Sequence, residues 1–532
     1  MLNHQWLATD YGLLVPSLLF LLPWILYKAL KTGKRDSFLP PGPPTIPILG
    51  NLHVFPLEDA YLKFNEWARS YGDIFSLKIG PGTAVVISSM EAVKELMEKR
   101  STTTSDRPKN HMAEKIAQGL TMVMCTYSDT WRALRKASHT ILTAKAVETH
   151  LPIQRAEACQ VMHDLLNDPE NFFKYIGRYS NSVTMSILFG KRCPRYESAE
   201  SLAFYKANDA WNHALSPSIP PVDLFPFLDY LPEKIAWWKK LARETRRMQR
   251  DLYFGLVDEC EARMKRGEHN GSFMEDMLNQ PNELGLNREL IGYLGGGLLE
   301  GGTETTASFL RSLVLFLAAF PDIQRKAQEE LDRIVGHERS PVLQDIDDLP
   351  YIRALIQEAH RFHPVAPLAI PHSTSADEEY RGYVIPKDAI IFVNTYAIFH
   401  NPDYFEDPEI FNPDRYMKQE FGTKPGVDVR AFRGNIAFGY GRALNTMNFV
   451  WAFNFKPPKD SMGNEIPVSH DIYEKRGILP IPFPFKCCIE PRNTSVAEII
   501  EREFRESTET FVKFERDLAA EDREWVDNLR KM

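Results

Sequence analysis

Residues 295–306 read Gly295-Gly296-Gly297-Leu298-Leu299-Glu300-Gly301-Gly302-Thr303-Glu304-Thr305-Thr306. They lie in an otherwise apolar stretch with helical spacing of its hydrophobic residues. Glycine costs a helix interior about 1 kcal/mol relative to alanine. Five glycines within eight positions therefore need a physical reason. One is close packing of another helix; the other is a flat ligand lying against the backbone. Glu304 and Thr305 add an acid and an alcohol, groups able to pass protons. On these residues alone, helix packing is the better account.

Further along come Glu358-Ala359-His360-Arg361, Phe411-Asn412-Pro413-Asp414-Arg415-Tyr416 and Phe438-Gly439-Tyr440-Gly441-Arg442. The three-residue separation of Glu358 and Arg361 puts carboxylate and guanidinium on one helix face. Toward the N-terminus, Ile74–Ile79 alternates, turns at Gly80-Pro81-Gly82 and returns through Ala84–Ile87, the pattern of a hairpin. Helical periodicity dominates from there to about residue 360, including Leu310–Phe320 and Ile323–Val335. Strand-like runs follow at Tyr383–Ile385 and Ile390–Val393. The fold class expected is mainly α with small β-sheets, and no linker divides Leu49–Pro491.

The chain has 532 residues, 44% of them hydrophobic, and a net charge of −8. That charge and the lack of a basic stripe argue against a nucleic-acid partner. Six cysteines, with no C-x-x-C pair, suit a reducing compartment. Tyr11–Tyr27 is a run of 17 uncharged residues, followed by Lys28, Lys31, Lys34 and Arg35. It just reaches the length of a membrane-spanning helix, and the cations after it place the following chain in the cytosol. Pro40-Pro41-Gly42-Pro43-Pro44-Thr45-Ile46-Pro47 must be extended and stiff. The expected organisation is an anchor at 1–35, a proline-rich hinge at 36–51, a main domain at 52–492 and a charged amphipathic helical tail at 493–532.

In this order, the anchor, the proline hinge, Gly-Gly-x-Glu-Thr-Thr, E-x-x-R, F-x-P-x-R and F-G-x-G-R resemble the cytochrome P450 family in its microsomal, fungal form. The resemblance runs from the anchor to about Arg492. It implies a mainly α triangular prism with small sheets, enclosing heme b between two central helices. It also implies a monooxygenase that inserts one oxygen atom of dioxygen into a lipophilic small molecule, as in secondary metabolism. Electrons come from NADPH through a partner reductase, and the setting is the endoplasmic reticulum membrane, single-pass, with the body cytosolic. Glu304 and Thr305 resemble the pair that delivers protons. Glu358, Arg361 and Arg415 resemble a buried structural charge triad. Trp131 and Arg135, four residues apart, match the helix that holds one heme propionate, and His372 resembles the partner of the other. Arg442 counts with them as cofactor-binding.

One element departs from the family. Its pattern continues F-G-x-G-x-R-x-C-x-G, and that cysteine is the iron's thiolate ligand. Counted without a gap, the ligand position falls on Asn445, so no axial cysteine is available as a metal ligand. A deletion accounts for this better: Ala443–Phe449 resembles the helix after the cysteine and Trp451–Phe455 its end, leaving on the order of thirteen residues missing. Phe485–Arg492 still resembles the family's terminal strand, so the reading frame survives. Phe189-Gly190-Lys191-Arg192-Cys193-Pro194 imitates the lost motif but precedes the central helix. Cys487 and Cys488 fall on an expected strand. Without the thiolate, the push of electron density that favours O–O cleavage is lost. Three outcomes compete, in this order: an enzyme whose sequence carries a splicing or gene-model error; a true deletion giving a non-catalytic membrane protein; and a helical membrane-tethered interaction protein, which leaves the charge triad and Glu304-Thr305 unexplained.

Pro217–Trp238 is rich in Pro, Phe and Leu and ends in Trp237-Trp238-Lys239-Lys240, which suits a membrane interface. Beyond Arg492, Val496, Ile500, Phe504, Phe511 and Leu518 recur at helical spacing among charges, as in a helix packing on the body or a partner. Asn493-Thr494-Ser495 fits a glycosylation sequon.

Overall fold

The computed structural model describes residues 23, 24, 27, 28, 30–216, 221–223, 225–432, 440–474 and 478–531. Most of the expected anchor, Phe438 and Gly439, and part of the aromatic stretch near 220 lie outside them. Among the described residues, no single helix is long and apolar enough to cross a membrane. The chain forms two compact units: Met1–Pro108 with Leu368–Ala397, and Lys109–Pro367 with Ile398–Met532.

The first unit is built on the expected hairpin. Strands Ile74–Ile79 and Gly82–Ile87 pair antiparallel, and Ala84–Ile87 pairs in parallel with Ile390–Val393, whose other edge takes His372–Ser373. A smaller ladder joins Glu378–Tyr380 to Tyr383–Ile385. The proline hinge is pinned here. The Arg35 guanidinium donates to the carbonyls of Gly42, Pro43 and Ser76 at 2.8–2.9 Å, and Asn51 donates to Pro43 and Pro44 at 3.0 Å. Prolines offer acceptors but no donors, so a side chain that only donates is the complement they need. Arg35 therefore serves the fold of the proline-rich segment.

The second unit is helical. Its centre is Arg288–Ala319, 32 residues and about 48 Å long. Asn287 caps it by accepting from the Leu290 N–H, and Pro321 opens the next helix, Pro321–Ile334. Helices Phe172–Phe189, Trp237–Lys265, Pro350–Phe362 and Tyr440–Ala452 pack against it, and Ala144–Asn167 packs on Phe172–Phe189. Phe453–Lys456 pairs with Cys488–Pro491. The helix Tyr440–Ala452 lies in the core, with Leu444, Met447, Phe449, Val450, Trp451 and Ala452 all buried. The mainly α composition with small sheets is as the sequence indicates.

Candidate functional site

The glycines of the central helix divide by face. A Cβ on Gly296 would stand 2.3 Å from the Tyr253 ring, one on Gly295 2.7 Å from Phe189, and one on Gly302 2.9 Å from Thr184. These three let neighbouring helices approach. Gly297 and Gly301 differ: a Cβ at Gly301 meets nothing within 4 Å, and one at Gly297 meets only Thr121, at 3.7 Å. Thr305, one turn further, is half-buried. The series 297, 301, 305 falls on one helical face, and that face is open. Helix packing accounts for Gly295, Gly296 and Gly302, while Gly297 and Gly301 leave a face with room for a ligand.

Phe309, the next residue on the same face, closes its end. His360 stacks on it with ring centroids 4.5 Å apart, and the Arg442 guanidinium lies 5.5 Å from its centroid. Burial, helped by the nearby Arg442 charge, pushes the His360 imidazole down to about 3 and keeps it neutral. Burial pushes Arg442 down to about 10. Its Nε finds no hydrogen-bond partner among the described residues.

Glu304 is buried and turns to a neighbouring helix, Ala199–Leu215, where Asn208 donates to it at 2.9 Å. Burial raises its pKa, with Arg311 opposing. The Thr305 hydroxyl donates to the Gly301 carbonyl at 2.8 Å. Sequence reading passed over Glu300, one turn before Glu304. It takes hydrogen bonds from the Tyr253 hydroxyl and from Gln249, and burial raises its pKa to about 7. Its four-residue spacing from Glu304 in an apolar helix was the available signal.

The charge triad is assembled. Glu358 and Arg361 form two hydrogen bonds of 2.7 and 2.9 Å, and Arg415 reaches Glu358 at 3.1 Å, all three buried. Spare guanidinium hydrogens go to the carbonyls of Phe399, Pro408 and Ile410 from Arg361, and of Glu406 from Arg415. Trp131 and Arg135 lie on one helix, Asp129–Ile141, with Trp131 half-buried against Tyr127 and Arg135 exposed. His372 sits in the first unit, on the edge strand of its sheet; its Nδ1 is buried without a hydrogen-bond partner among the described residues.

Asn445, at the ungapped ligand position, is fully buried within Tyr440–Ala452. Its Nδ2 donates to Gly441 O, its Oδ1 has no partner among the described residues, and its neighbour is the buried Tyr179 hydroxyl. Asn448 Oδ1 is likewise buried and unpaired. Two orphaned amide oxygens on one short helix mark a local mismatch between sequence and environment.

A porphyrin needs an open flat face and cations for its carboxylates; the 297–301–305 face suits the first, and Arg442, whose Nε has no partner among the described residues, the second. Its iron needs a sulfur anion, and none of the six cysteines lies on Tyr440–Ala452, the helix that carries the ligand position. Cys125 donates to Thr126 O, Cys260 to Phe189 O and Cys487 to Lys456 O. Burial pushes the thiols of Cys159 and Cys487 up to about 12, that of Cys260 up to about 11, and that of Cys193 higher still. Cys488 is raised in the same direction, by burial and by Glu490. Among the described residues no group of three His, Cys, Asp or Glu is placed to hold a metal ion. The residues present do not fit a heme-thiolate centre.

The surrounding frame nevertheless has close relatives. The sequence pattern of the family described as Cytochrome P450 matches residues 40–443, ending one residue past Arg442. A cytochrome P450 monooxygenase of Armillaria gallica is 41% identical over 514 residues, covering 94% of this chain and 98% of its own length. One of Rhodocybe pseudopiperita is 36% identical over 90% of this chain and 94% of its own, and one of Arthrobotrys oligospora 35% identical over 92% and 96%. With the family pattern matched over three-quarters of its length and such relatives aligned nearly end to end, this chain belongs to the cytochrome P450 family.

Proposed function

We propose that this polypeptide, as its sequence stands, keeps the frame of a fungal monooxygenase but does not activate dioxygen. The observation that carries this reading is the fate of the ligand position. Asn445 is a neutral amide, sealed in the core and bonded within its own helix, and no cysteine takes the place of the missing one. Oxygen activation in this family rests on thiolate donation to iron, which an amide does not supply.

A second reading is favoured by what remains intact. The two strands that follow the gap still pair, and the buried triad is complete. A product restored between Arg442 and Trp451 is then the active form. It would insert one oxygen atom into a lipophilic small molecule with electrons from an NADPH-dependent reductase, held at the endoplasmic reticulum membrane by the N-terminal anchor. For that form Glu304 and Thr305 are proposed as the acid and alcohol of the reaction. Trp131, Arg135, His372 and Arg442 are proposed as partners of the heme carboxylates.

The test compares two full-length proteins: this chain, and the same chain with the corresponding segment of the Armillaria gallica relative between Arg442 and Trp451. Each is supplied with heme, reductase and NADPH and assayed for substrate-dependent NADPH consumption. The expected result is consumption by the restored protein alone; equal consumption by both overturns the proposal.

A further inference from the structure

The segment Phe189–Pro194, which imitates a ligand loop, has a different use here. Arg192, 2% exposed, donates to Glu157 at 2.8 Å and to Glu515 of the tail at 2.5 Å. Its guanidinium lies 3.4 Å from the centroid of Phe511, and the Arg192 backbone N–H donates to Phe514 O at 3.0 Å. Glu157 is shared with a second buried cation, Arg178, at 2.5 Å. Without Glu515, part of the Arg192 guanidinium would have no anion.

The same arrangement recurs along the tail. Asp517 accepts from Arg263, which is 1% exposed, at 3.2 Å and from Arg266 at 2.8 Å. The buried Asp522 accepts from Arg195 at 2.7 Å, and the buried Glu503 from the Ser340 N–H at 2.9 Å. Val496, Ile500, Phe504, Phe511 and Leu518 are all buried, and Asn493 caps the helix Thr494–Phe511 by accepting from the Val496 N–H. The sequon asparagine therefore has a local structural use.

We infer that the tail from Asn493 onward is an acidic strap, and that the arginines around Phe189–Pro194 and at the end of Trp237–Lys265 are its receptor. Buried cations are tolerated only when paired, so strap and body form one folding unit. Through Arg263 the strap also fixes the helix whose Tyr253 covers Gly296 and bonds Glu300. Loosening it should therefore loosen the cover of the central helix.

The test uses the full-length protein with a specific protease site inserted after Arg492, cleaved under native conditions and passed through gel filtration. The strap is expected to co-elute with the body. The pair Glu515→Ala with Asp517→Ala is expected to weaken retention on the order of a hundredfold. Exposed Arg505→Ala is expected to leave it unchanged. Release of the unmodified strap, with the body's melting temperature unaltered, overturns the inference. So does retention indifferent to the paired acidic substitutions, because apolar packing alone would then hold the tail.

Discussion

Asn445 returns its amide hydrogen to the carbonyl of Gly441, 2.7 Å away in its own helix. At the position where the family pattern, counted without a gap, expects the iron's ligand, this chain has a neutral amide that bonds its own helix and lies beside the Tyr179 hydroxyl. The amide oxygen is left unpaired in the core. An unsatisfied buried acceptor costs about 1–3 kcal/mol, and an apolar residue of the same size removes that cost.

Asn445→Leu should therefore raise stability by about 1 kcal/mol. Asn448→Leu should act in the same direction. Chemical denaturation of the full chain measures both; a loss of stability in each would show that the amide oxygens have partners.

The Glu358–Arg361–Arg415 cluster predicts the opposite response. Glu358→Gln leaves two buried guanidinium groups without their carboxylate and should cost about 3–5 kcal/mol. The unfolding midpoint in urea reads this directly. A change within the range of a surface ion pair would remove the triad from the account of stability.

Gly296 and Gly301 should respond with opposite signs to alanine. At Gly301 the new methyl meets open space, and the gain in helix propensity is about 1 kcal/mol. At Gly296 it enters the Tyr253 ring, so the helices must part and stability falls. Thermal unfolding of the two variants separates the open face from the packed one.

Glu300 supplies a pH signature. Burial raises its folded pKa from 4.5 to about 7, so the native state holds a proton that the unfolded chain has lost. Its contribution is fully present below about pH 4.5 and is lost as pH rises toward 7. Stability of the parent minus that of Glu300→Gln should fall across this window and level off above it. A flat difference would mean that Glu300 is solvated.

Most of the fold was legible. The hairpin at 74–87 and the strands at 383–385 and 390–393 follow from alternation and turn residues, and the central helix from its period. The triad was legible because F-x-P-x-R, placed about fifty residues after E-x-x-R, gave a common surface charge pair its buried third partner. Other features depend on contacts that chain spacing does not encode. Which glycines pack and which stay open is decided by Tyr253, Phe189 and Thr184 on other helices. The role of Arg192 is decided by Glu515, 323 residues away. Glu300 lies within the glycine-rich stretch, but its hydrogen-bond partners, Gln249 and Tyr253, belong to Trp237–Lys265, some fifty residues earlier.

The central claim is that this chain supplies iron with no thiolate. The most direct measurement is the absorption spectrum of the purified full-length protein, offered heme, reduced and exposed to carbon monoxide. The account predicts that no strongly red-shifted Soret band of a thiolate-ligated carbonyl complex appears. That band, at full occupancy and abolished by substitution of one of the six cysteines, would contradict it.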